Sequence, residues 1–232
     1  MAEPVKTRRY NSPRRLQQAA ATRREILESA QRLFERHGYA TTTMAAIAAE
    51  AGVALKTVYF VFETKSGLLR ALWNLLLRGD DGEAPVAARP WYREVLDEPD
   101  PRRQLQLVAR NSSNVKQRIG AILEVIRAAA PTDPDIHALW HKIQTDFHTN
   151  QQAIAKSLET KNALQDGLDS KRATDILWAL NLSNLWQLLV TERDWTPDEY
   201  ERLIADLACA QLLKPAGARA RPNPTSKKRR PR

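Results

Sequence analysis

Residues 42–69, TTMAAIAAEAGVALKTVYFVFETKSGLL, decide the fold of this chain. The first half places apolar residues such as Ile47 at helical spacing, and Thr43 stands where its hydroxyl can cap the helix start. Gly52 follows where a helix must stop, because glycine readily adopts the positive φ that ends one. An aromatic run then continues to Phe62. The pattern predicts two short helices around a tight turn, which either hold the second helix out towards a DNA groove or simply fill a core.

The neighbours of this turn favour the first alternative, because the whole stretch resembles the DNA-binding signature of the TetR family of bacterial transcription regulators. The positions that carry the resemblance, all at the family's spacing, are Thr42, Thr43, Ile47, Ala48, Ala51, Gly52, Val53, Thr57, Val58, Tyr59, Phe62, Lys65, Leu68 and Leu69. The segment 24–38 before it resembles the family's first helix. The remaining two thirds of the chain, roughly, resemble the family only as an all-helical domain of suitable length.

Seven side chains are candidate DNA contacts. They are Thr42, Thr43, Lys56, Thr57, Tyr59, Phe60 and Lys65. The resemblance implies that Thr42 or Thr43 and the Tyr59 hydroxyl bind phosphates. Lys65 follows a predicted helix cap, Thr64, so that its charge and the amides of the helix start would meet a phosphate together.

The exposed side of the second helix is expected to read base edges. Lys56 has the chemistry to bind a guanine edge or a phosphate, while Thr57 and Phe60 suit a thymine methyl group. Ala54 and Val61 depart from the family pattern, which often has a serine and a polar or histidine residue at these places. The departures leave open which bases are read.

Composition bounds the class of protein. A chain of 232 residues with eight glycines and long helical periods is predicted to be all-α and long enough to bury a sizeable core. The single cysteine, Cys209, excludes an internal disulfide and favours a reducing, cytoplasmic setting. No apolar run approaches the ~20 residues of a membrane span, so no membrane association is predicted.

The positive charge lies at the two ends of the chain. The net charge is +7 over residues 1–79, −6 over 80–213 and +8 over 214–232. Because an acidic middle repels polyanions, this distribution indicates a DNA-binding head joined to a domain with a different role.

Four segments follow from these patterns. Residues 1–21 are predicted to be a basic flexible arm and 22–69 a three-helix helix-turn-helix head. Residues 70–213 are predicted to be a larger helical domain for ligand binding and dimerisation, and 214–232 a basic disordered tail. The arm and the tail either contact DNA or remain solvated.

The larger domain is predicted to contain helices over 86–98, 102–130, 136–161, 170–192 and 196–213. Two of these starts carry cap signals. Asp133 precedes a proline at the first helical position, and Thr196 with Glu199 forms a capping box.

The last two helices carry more apolar surface than a monomer needs. The resemblance implies that they dimerise as a four-helix bundle, with candidate interface residues Leu182, Leu185, Trp186, Leu189, Leu203, Leu207 and Leu212. An apolar effector would be enclosed by Trp91, Trp140, Phe147 and Trp178, although core filling also explains each of them.

Catalysis and metal binding find little support. The sequence has no glycine-rich phosphate loop, nucleophile elbow or paired carboxylates, so an enzyme is not predicted. His137 and His141 lie one helical turn apart, but no third ligand is in reach, so no metal site and no cofactor are predicted.

The sequence therefore predicts a homodimeric, cytoplasmic, nucleoid-associated bacterial regulator of transcription. It would bind a near-palindromic operator in double-stranded DNA as a repressor and release it when an unknown, partly apolar effector binds. The alternative is a nonspecific DNA-binding or packaging protein, favoured by the basic ends and opposed by the acidic middle.

Overall fold

The computed structural model describes residues 13–78 and 89–215, and all its regular elements in these ranges are helices. The ten α-helices are α1 (Pro13–Thr41), α2 (Met44–Glu50), α3 (Leu55–Phe62), α4 (Lys65–Arg78), α5 (Pro90–Asp97), α6 (Pro101–Ala129), α7 (Pro134–Thr160), α8 (Ser170–Leu180), α9 (Ser183–Trp186) and α10 (Pro197–Leu212). A π-helical turn, Gln187–Thr191, follows α9. The predicted all-α class is confirmed. Residues 1–12 of the predicted arm, residues 79–88 and the predicted tail from residue 216 onward lie outside the described residues.

The described chain divides into two compact units that do not follow the predicted boundaries. The first unit comprises residues 13–78 together with 118–143, and the second comprises 89–117 together with 144–215. The end of α6 and the start of α7 therefore belong with the helix-turn-helix head, whereas the sequence predicted one helical domain over residues 70–213.

Two helices differ from their predicted extent. α1 begins at Pro13, so the part of the predicted flexible arm from residue 13 onward is helical. Proline at the first helical position and the run of leucine, glutamine and alanine that follows favour a helix even though most of these side chains are exposed. α1 is interrupted at Gly38, which has a φ of 78°.

The predicted helix 170–192 is also broken. It ends at Asn181, whose side-chain amide donates to the Leu177 carbonyl at 2.9 Å. Leu182 then takes an extended conformation before α9 begins. α8 is capped by Asp169, whose side chain accepts the Arg172 amide at 2.8 Å, and the capping box of Thr196 and Glu199 is present as predicted.

Each unit has its own apolar core. In the first unit the fully buried side chains include Ile26, Phe34, Ile47, Val58, Leu68, Leu69, Ile122 and Ile126. In the second unit one cluster gathers around Leu105, Leu158, Leu177 and Leu212, and a smaller one around Trp186, Tyr200 and Ile204.

No single helix in the described ranges is long and apolar enough to cross a membrane. Among the described helices, α2 and α3 reach that length and apolar content only when they are taken together, and they are bent by 113° at the turn between them.

Candidate DNA-binding site

The α2–α3 pair has the geometry of a helix-turn-helix. The two helices bend by 113° across the turn that joins them, within the range of ~90–120° typical of the motif. Gly52 sits in the turn with a φ of 64°, a conformation that costs glycine nothing and strains other residues. Thr43 caps α2 by accepting the Ala46 amide at 3.1 Å, as the sequence predicted.

The outer face of α3 carries apolar and basic side chains into solvent. Phe60 is 87% exposed and Tyr59 is 49% exposed, and Lys56 is also exposed while Thr57 is half-buried. Val58 and Phe62 point into the core and hold the helix in place. Leu55 is 41% exposed on the same helix, and several large apolar side chains exposed together are typical of a surface that meets a partner.

Thr42 does not lie on that face. It is only 3% exposed, and its hydroxyl donates to the carbonyls of Gly38 at 2.8 Å and Leu33 at 3.2 Å. Of the two threonines proposed from sequence as a phosphate contact, only Thr43 is exposed. The inward position of Thr42 follows from the break in α1 at Gly38, which leaves carbonyls in need of a donor.

Lys65 is also turned inward. Its ammonium donates to the carbonyls of Tyr39 at 2.8 Å and Thr42 at 3.0 Å, and it lies 4.2 Å from the centre of the Tyr39 ring. Burial lowers the pKa of Lys65, and the charge of Asp133 partly offsets this. Thr64 accepts the Gly67 amide as the predicted cap. The structure therefore engages Lys65 with the backbone of its own unit, which opposes its assignment as a phosphate contact.

Two acidic residues near this lysine make long-range contacts that the sequence did not predict. The Tyr39 hydroxyl donates to Asp133 at 2.7 Å, and the Ser66 hydroxyl donates to Asp135 at 2.8 Å. These partners are 94 and 69 residues apart in the chain, so no local pattern links them. Burial, the hydrogen bond to Asp133 and the nearby carboxylate charges all raise the pKa of Tyr39.

The predicted effector residues are divided between the units. Trp140 belongs to the first unit, and Trp91, Phe147 and Trp178 belong to the second. The Trp178 ring packs edge-on against His148, with 5.9 Å between ring centres, and its buried indole nitrogen has no hydrogen-bond partner among the described residues. An open groove of about 510 Å³ lies between α7 and α8 and is lined by Gln152, Lys156, Ser170, Thr174 and neighbouring residues.

The predicted interface residues are likewise not equivalent. Leu212 is completely buried in the larger core cluster, and Trp186 is buried against Tyr200 with 5.0 Å between ring centres. These two side chains are therefore buried within one chain, Leu212 among residues of α6, α7 and α8 and Trp186 against Tyr200 of α10. The remaining predicted interface residues are partly exposed, namely Leu182, Leu185, Leu189, Leu203 and Leu207.

The histidine pair makes no recognisable metal site. The rings of His137 and His141 lie 4.5 Å apart, edge to face, and both residues are exposed. Within residues 13–78 and 89–215, no group of three histidine, cysteine or carboxylate side chains is arranged to hold a metal ion.

Comparison with known proteins gives this site its context. Residues 26–72 match the family model described as bacterial regulatory proteins, tetR family. The HTH-type transcriptional regulator TtgR of Pseudomonas putida is 29% identical over 190 residues, which cover 78% of this chain and 88% of TtgR.

Two solved structures share the fold. The complex of SmeT, from Stenotrophomonas maltophilia, with triclosan has a TM-score of 0.64 and 23% identity, covering 84% of this chain and 92% of SmeT. NalD of Pseudomonas aeruginosa, the secondary repressor of the MexAB-OprM multidrug efflux pump, also has a TM-score of 0.64, at 22% identity over 85% of this chain and 98% of NalD.

These relatives are regulators of transcription, which agrees with the prediction that the chain is not an enzyme. The matched family model covers the helices whose geometry and exposed face have just been described. The helix-turn-helix head, within residues 26–72, thus matches the tetR family of bacterial regulatory proteins, and the chain is a DNA-binding regulator of transcription.

Proposed function

We propose that this regulator is a homodimeric repressor that binds a near-palindromic operator and is released from it by a small-molecule effector. The observation that carries the proposal is the outer face of α3, where Phe60 is 87% exposed beside an exposed lysine. Specific DNA readers place such a helix in the major groove, where base edges differ most.

Each exposed side chain of the motif has a role that its chemistry suits. Phe60 and Thr57 contact thymine methyl groups, and Lys56 binds a guanine edge or a phosphate. The Tyr59 hydroxyl and the Thr43 side chain bind phosphates, which set the register of the helix on the duplex without reading its sequence. Thr42 and Lys65 support the motif from inside.

A homodimer supplies the second half-site. Leu185, Leu189 and Val190 pack only partly against the smaller core cluster, and Leu188 is 45% exposed beside them. This apolar surface on α9 and the π-helical turn favours a second copy as its cover, since monomers rarely leave such patches open. A two-fold dimer places two heads on half-sites about one helical turn apart or a multiple of it.

An effector site in the second unit is supported by unpaired polar atoms. Within the part of the chain that the structure describes, the indole nitrogen of Trp178 and the side-chain oxygens of Gln151 and Asn181 are buried without hydrogen-bond partners. Each such atom costs roughly 1–3 kcal/mol unless a ligand or water satisfies it. An effector with an aromatic ring and hydrogen-bonding groups fits these surroundings, and the related fold of SmeT has been solved with triclosan. A repressor role is supported by SmeT and NalD, both described as repressors.

Fluorescence anisotropy with DNA from upstream of the protein's own gene tests the reading face. Wild-type protein is expected to prefer this DNA over a scrambled duplex at moderate salt. Phe60→Ala and Lys56→Ala are expected to weaken the preference by about tenfold each, since a good base contact contributes ~1–3 kcal/mol. Lys171→Ala is the matched control, because it removes an exposed lysine from α8.

Salt dependence separates this proposal from nonspecific packaging of DNA. A packaging protein would bind both duplexes equally and would lose affinity for both steeply as salt rises. Equal binding of both duplexes by the wild-type protein, unchanged in Phe60→Ala, would contradict a sequence-reading role for α3. Titration with aromatic effectors that leave operator affinity unchanged would contradict release by ligand.

A further inference from the structure

Three segments that are distant in the chain meet in the first unit at what we call the Asp133 cluster, formed by Tyr39, Lys65, Ser66, Asp133 and Asp135. Tyr39 lies in the last turn of α1, Lys65 and Ser66 begin α4, and the two aspartates begin α7. Four hydrogen bonds of 2.7–3.0 Å connect these residues to one another and to the backbone.

Asp133 performs two tasks with its two carboxylate oxygens. Oδ1 caps α7 by accepting the amides of Asp135 at 3.0 Å and Ile136 at 3.2 Å, while Oδ2 accepts the Tyr39 hydroxyl at 2.7 Å. Because one planar carboxylate makes all three bonds, the start of α7 and the end of α1 are fixed relative to each other. Burial acts to raise the pKa of Asp133, but these hydrogen bonds and the Lys65 charge outweigh it and lower the pKa, so the carboxylate is ionised at neutral pH.

The cluster also holds both ends of the α2–α3 pair. Lys65 donates to the carbonyls of Tyr39 and Thr42, which lie just before α2. Ser66, just after α3, is buried and binds both Thr64 and Asp135. The chain enters and leaves the helix-turn-helix through residues that the two aspartates anchor.

We propose that Asp133 and Asp135 are positioning residues for DNA binding. Through Tyr39 and Ser66 they hold the α2–α3 pair in the orientation in which α3 reads the groove, without touching DNA themselves. A head whose entry and exit segments are loosened must order them again on binding, and that cost lowers affinity.

Whether DNA affinity falls or rises when an aspartate of the cluster is neutralised distinguishes a positioning role from simple electrostatic repulsion. Removing a negative charge from a DNA-binding unit is expected to strengthen binding to a polyanion. The proposal predicts the reverse for Asp133→Asn, which keeps an oxygen and an asparagine cap for α7 but replaces the acceptor that faces Tyr39. Glu124→Gln is the matched control, because it removes the same charge from α6 in the same unit, where Glu124 pairs with Arg127 at 2.7 Å.

The experiment measures affinity for the duplex that wild-type protein selects from a random pool, by anisotropy at moderate salt. Asp133→Asn and Tyr39→Phe are each expected to weaken binding by about tenfold, the range of one hydrogen bond to a charged group. Glu124→Gln is expected to bind as well as wild type or better. The double variant of Tyr39 and Asp133 is expected to be little weaker than either single one, because both changes remove the same bond.

A second pair of variants provides a conservative rescue. Asp135→Ala removes the acceptor of the Ser66 hydroxyl and is expected to weaken binding, whereas Asp135→Asn retains an acceptor and is expected to restore most of it. Circular dichroism and thermal melting identify the variants that are folded at the assay temperature. If Asp133→Asn does not fold, Ser66→Ala and the Asp135 variants carry the test.

Folded variants with lowered melting temperature but unchanged DNA affinity would overturn the proposal and leave the cluster a purely structural role. Equal losses in Asp133→Asn and Glu124→Gln would also overturn it. If the random pool yields no preferred sequence, the proposal of operator binding fails. The variants are then expected to show the same order of affinities for mixed-sequence DNA at low salt. Equal affinities of all variants for that DNA would reject the positioning role independently of operator binding.

Discussion

Lys116 is a buried cation with no carboxylate beside it among the described residues. The side chain, on α6, is 5% exposed and donates to the hydroxyls of Ser112 at 2.9 Å and Tyr200 at 2.6 Å. Its ammonium also lies 4.9 Å from the centre of the Tyr200 ring. Burial lowers the pKa of Lys116 from 10.5 to about 7, because the charged form loses its hydration and no carboxylate compensates.

Lys116→Met is therefore expected to stabilise the protein near neutral pH. Between pH 7 and 10.5 the unfolded chain binds a proton that the folded chain does not, so the wild-type free energy of unfolding rises with pH across this window. The full penalty corresponds to about 3–5 kcal/mol, less roughly 1 kcal/mol for the Tyr200 hydroxyl left unpaired. Urea unfolding of the wild type and of Lys116→Met at pH 7 and 9.5 measures this gain in stability.

The advantage of Lys116→Met over wild type should shrink as the pH rises, since the amine must lose its proton on folding and this costs less as the pH approaches its unfolded pKa of 10.5. An advantage that is the same at both pH values would show that packing, and not the buried amine, causes it. A destabilised variant at pH 7 would show that the hydroxyl contacts outweigh the cost of burying the charge.

Gly67 lies in the first turn of α4, close to the end of α3. The close approach of the chain there leaves no room for a side chain. A Cβ at this position would lie 2.6 Å from the Phe62 carbonyl oxygen and 3.1 Å from Thr64 Oγ1. Gly67→Ala is expected to destabilise by about 1–3 kcal/mol, the usual range for overpacking. In an ordinary helix the same change stabilises by up to about 1 kcal/mol. The sign of the change in the free energy of unfolding, measured in urea, therefore distinguishes the two cases. A stabilised variant would contradict the close approach.

At the scale of the elements, three predicted helix caps are confirmed, whereas two helix boundaries were not predicted. Thr43, Asp133 and Thr196 cap their helices as predicted, because a cap depends on residues within one turn. The start of α1 at Pro13 was missed, because its first turns are exposed and show no apolar period. The break at Asn181 was missed because apolar residues continue on both sides of it.

The capping box of α10 offers a test of element stability. Thr196 Oγ1 accepts the Glu199 amide at 3.3 Å, and Glu199 accepts the Thr196 amide at 2.8 Å. Thr196→Ala is expected to cost about 1 kcal/mol of stability in urea. Thr160→Ala, which removes an exposed hydroxyl bonded within its own helix, is expected to change it little. Equal losses in both would mean that the box adds nothing to α10.

At the scale of the whole molecule, the division into units lay beyond sequence reasoning. The head was recognised from a signature in residues 42–69, but residues 118–143 complete the first unit. Their links to it, such as the hydrogen bond from Tyr39 to Asp133, join residues far apart in the chain. Residue type predicted the exposed face of α3 well, because its period is local.

The assembly predicted for the whole molecule can be tested through its remaining apolar surface. Leu189 is partly exposed beside the smaller core cluster, so a glutamate there would be tolerated by a monomer but not by a covered interface. Leu189→Glu is expected to convert a dimer into a monomer in analytical ultracentrifugation. It should also weaken operator binding by at least about tenfold, since the two half-sites are no longer bound together.

Leu16→Glu is the matched control, because it makes the same substitution at a leucine that is 60% exposed on α1. It should leave the oligomeric state unchanged. Leu212 would be an unsuitable choice, because it is completely buried within the protomer and a charge there would unfold the second unit. A wild-type protein that sediments as a monomer at micromolar concentration, or a Leu189→Glu variant that remains a dimer, would reject this surface as the interface. Full operator affinity in a monomeric variant would show instead that one head is sufficient to read the site.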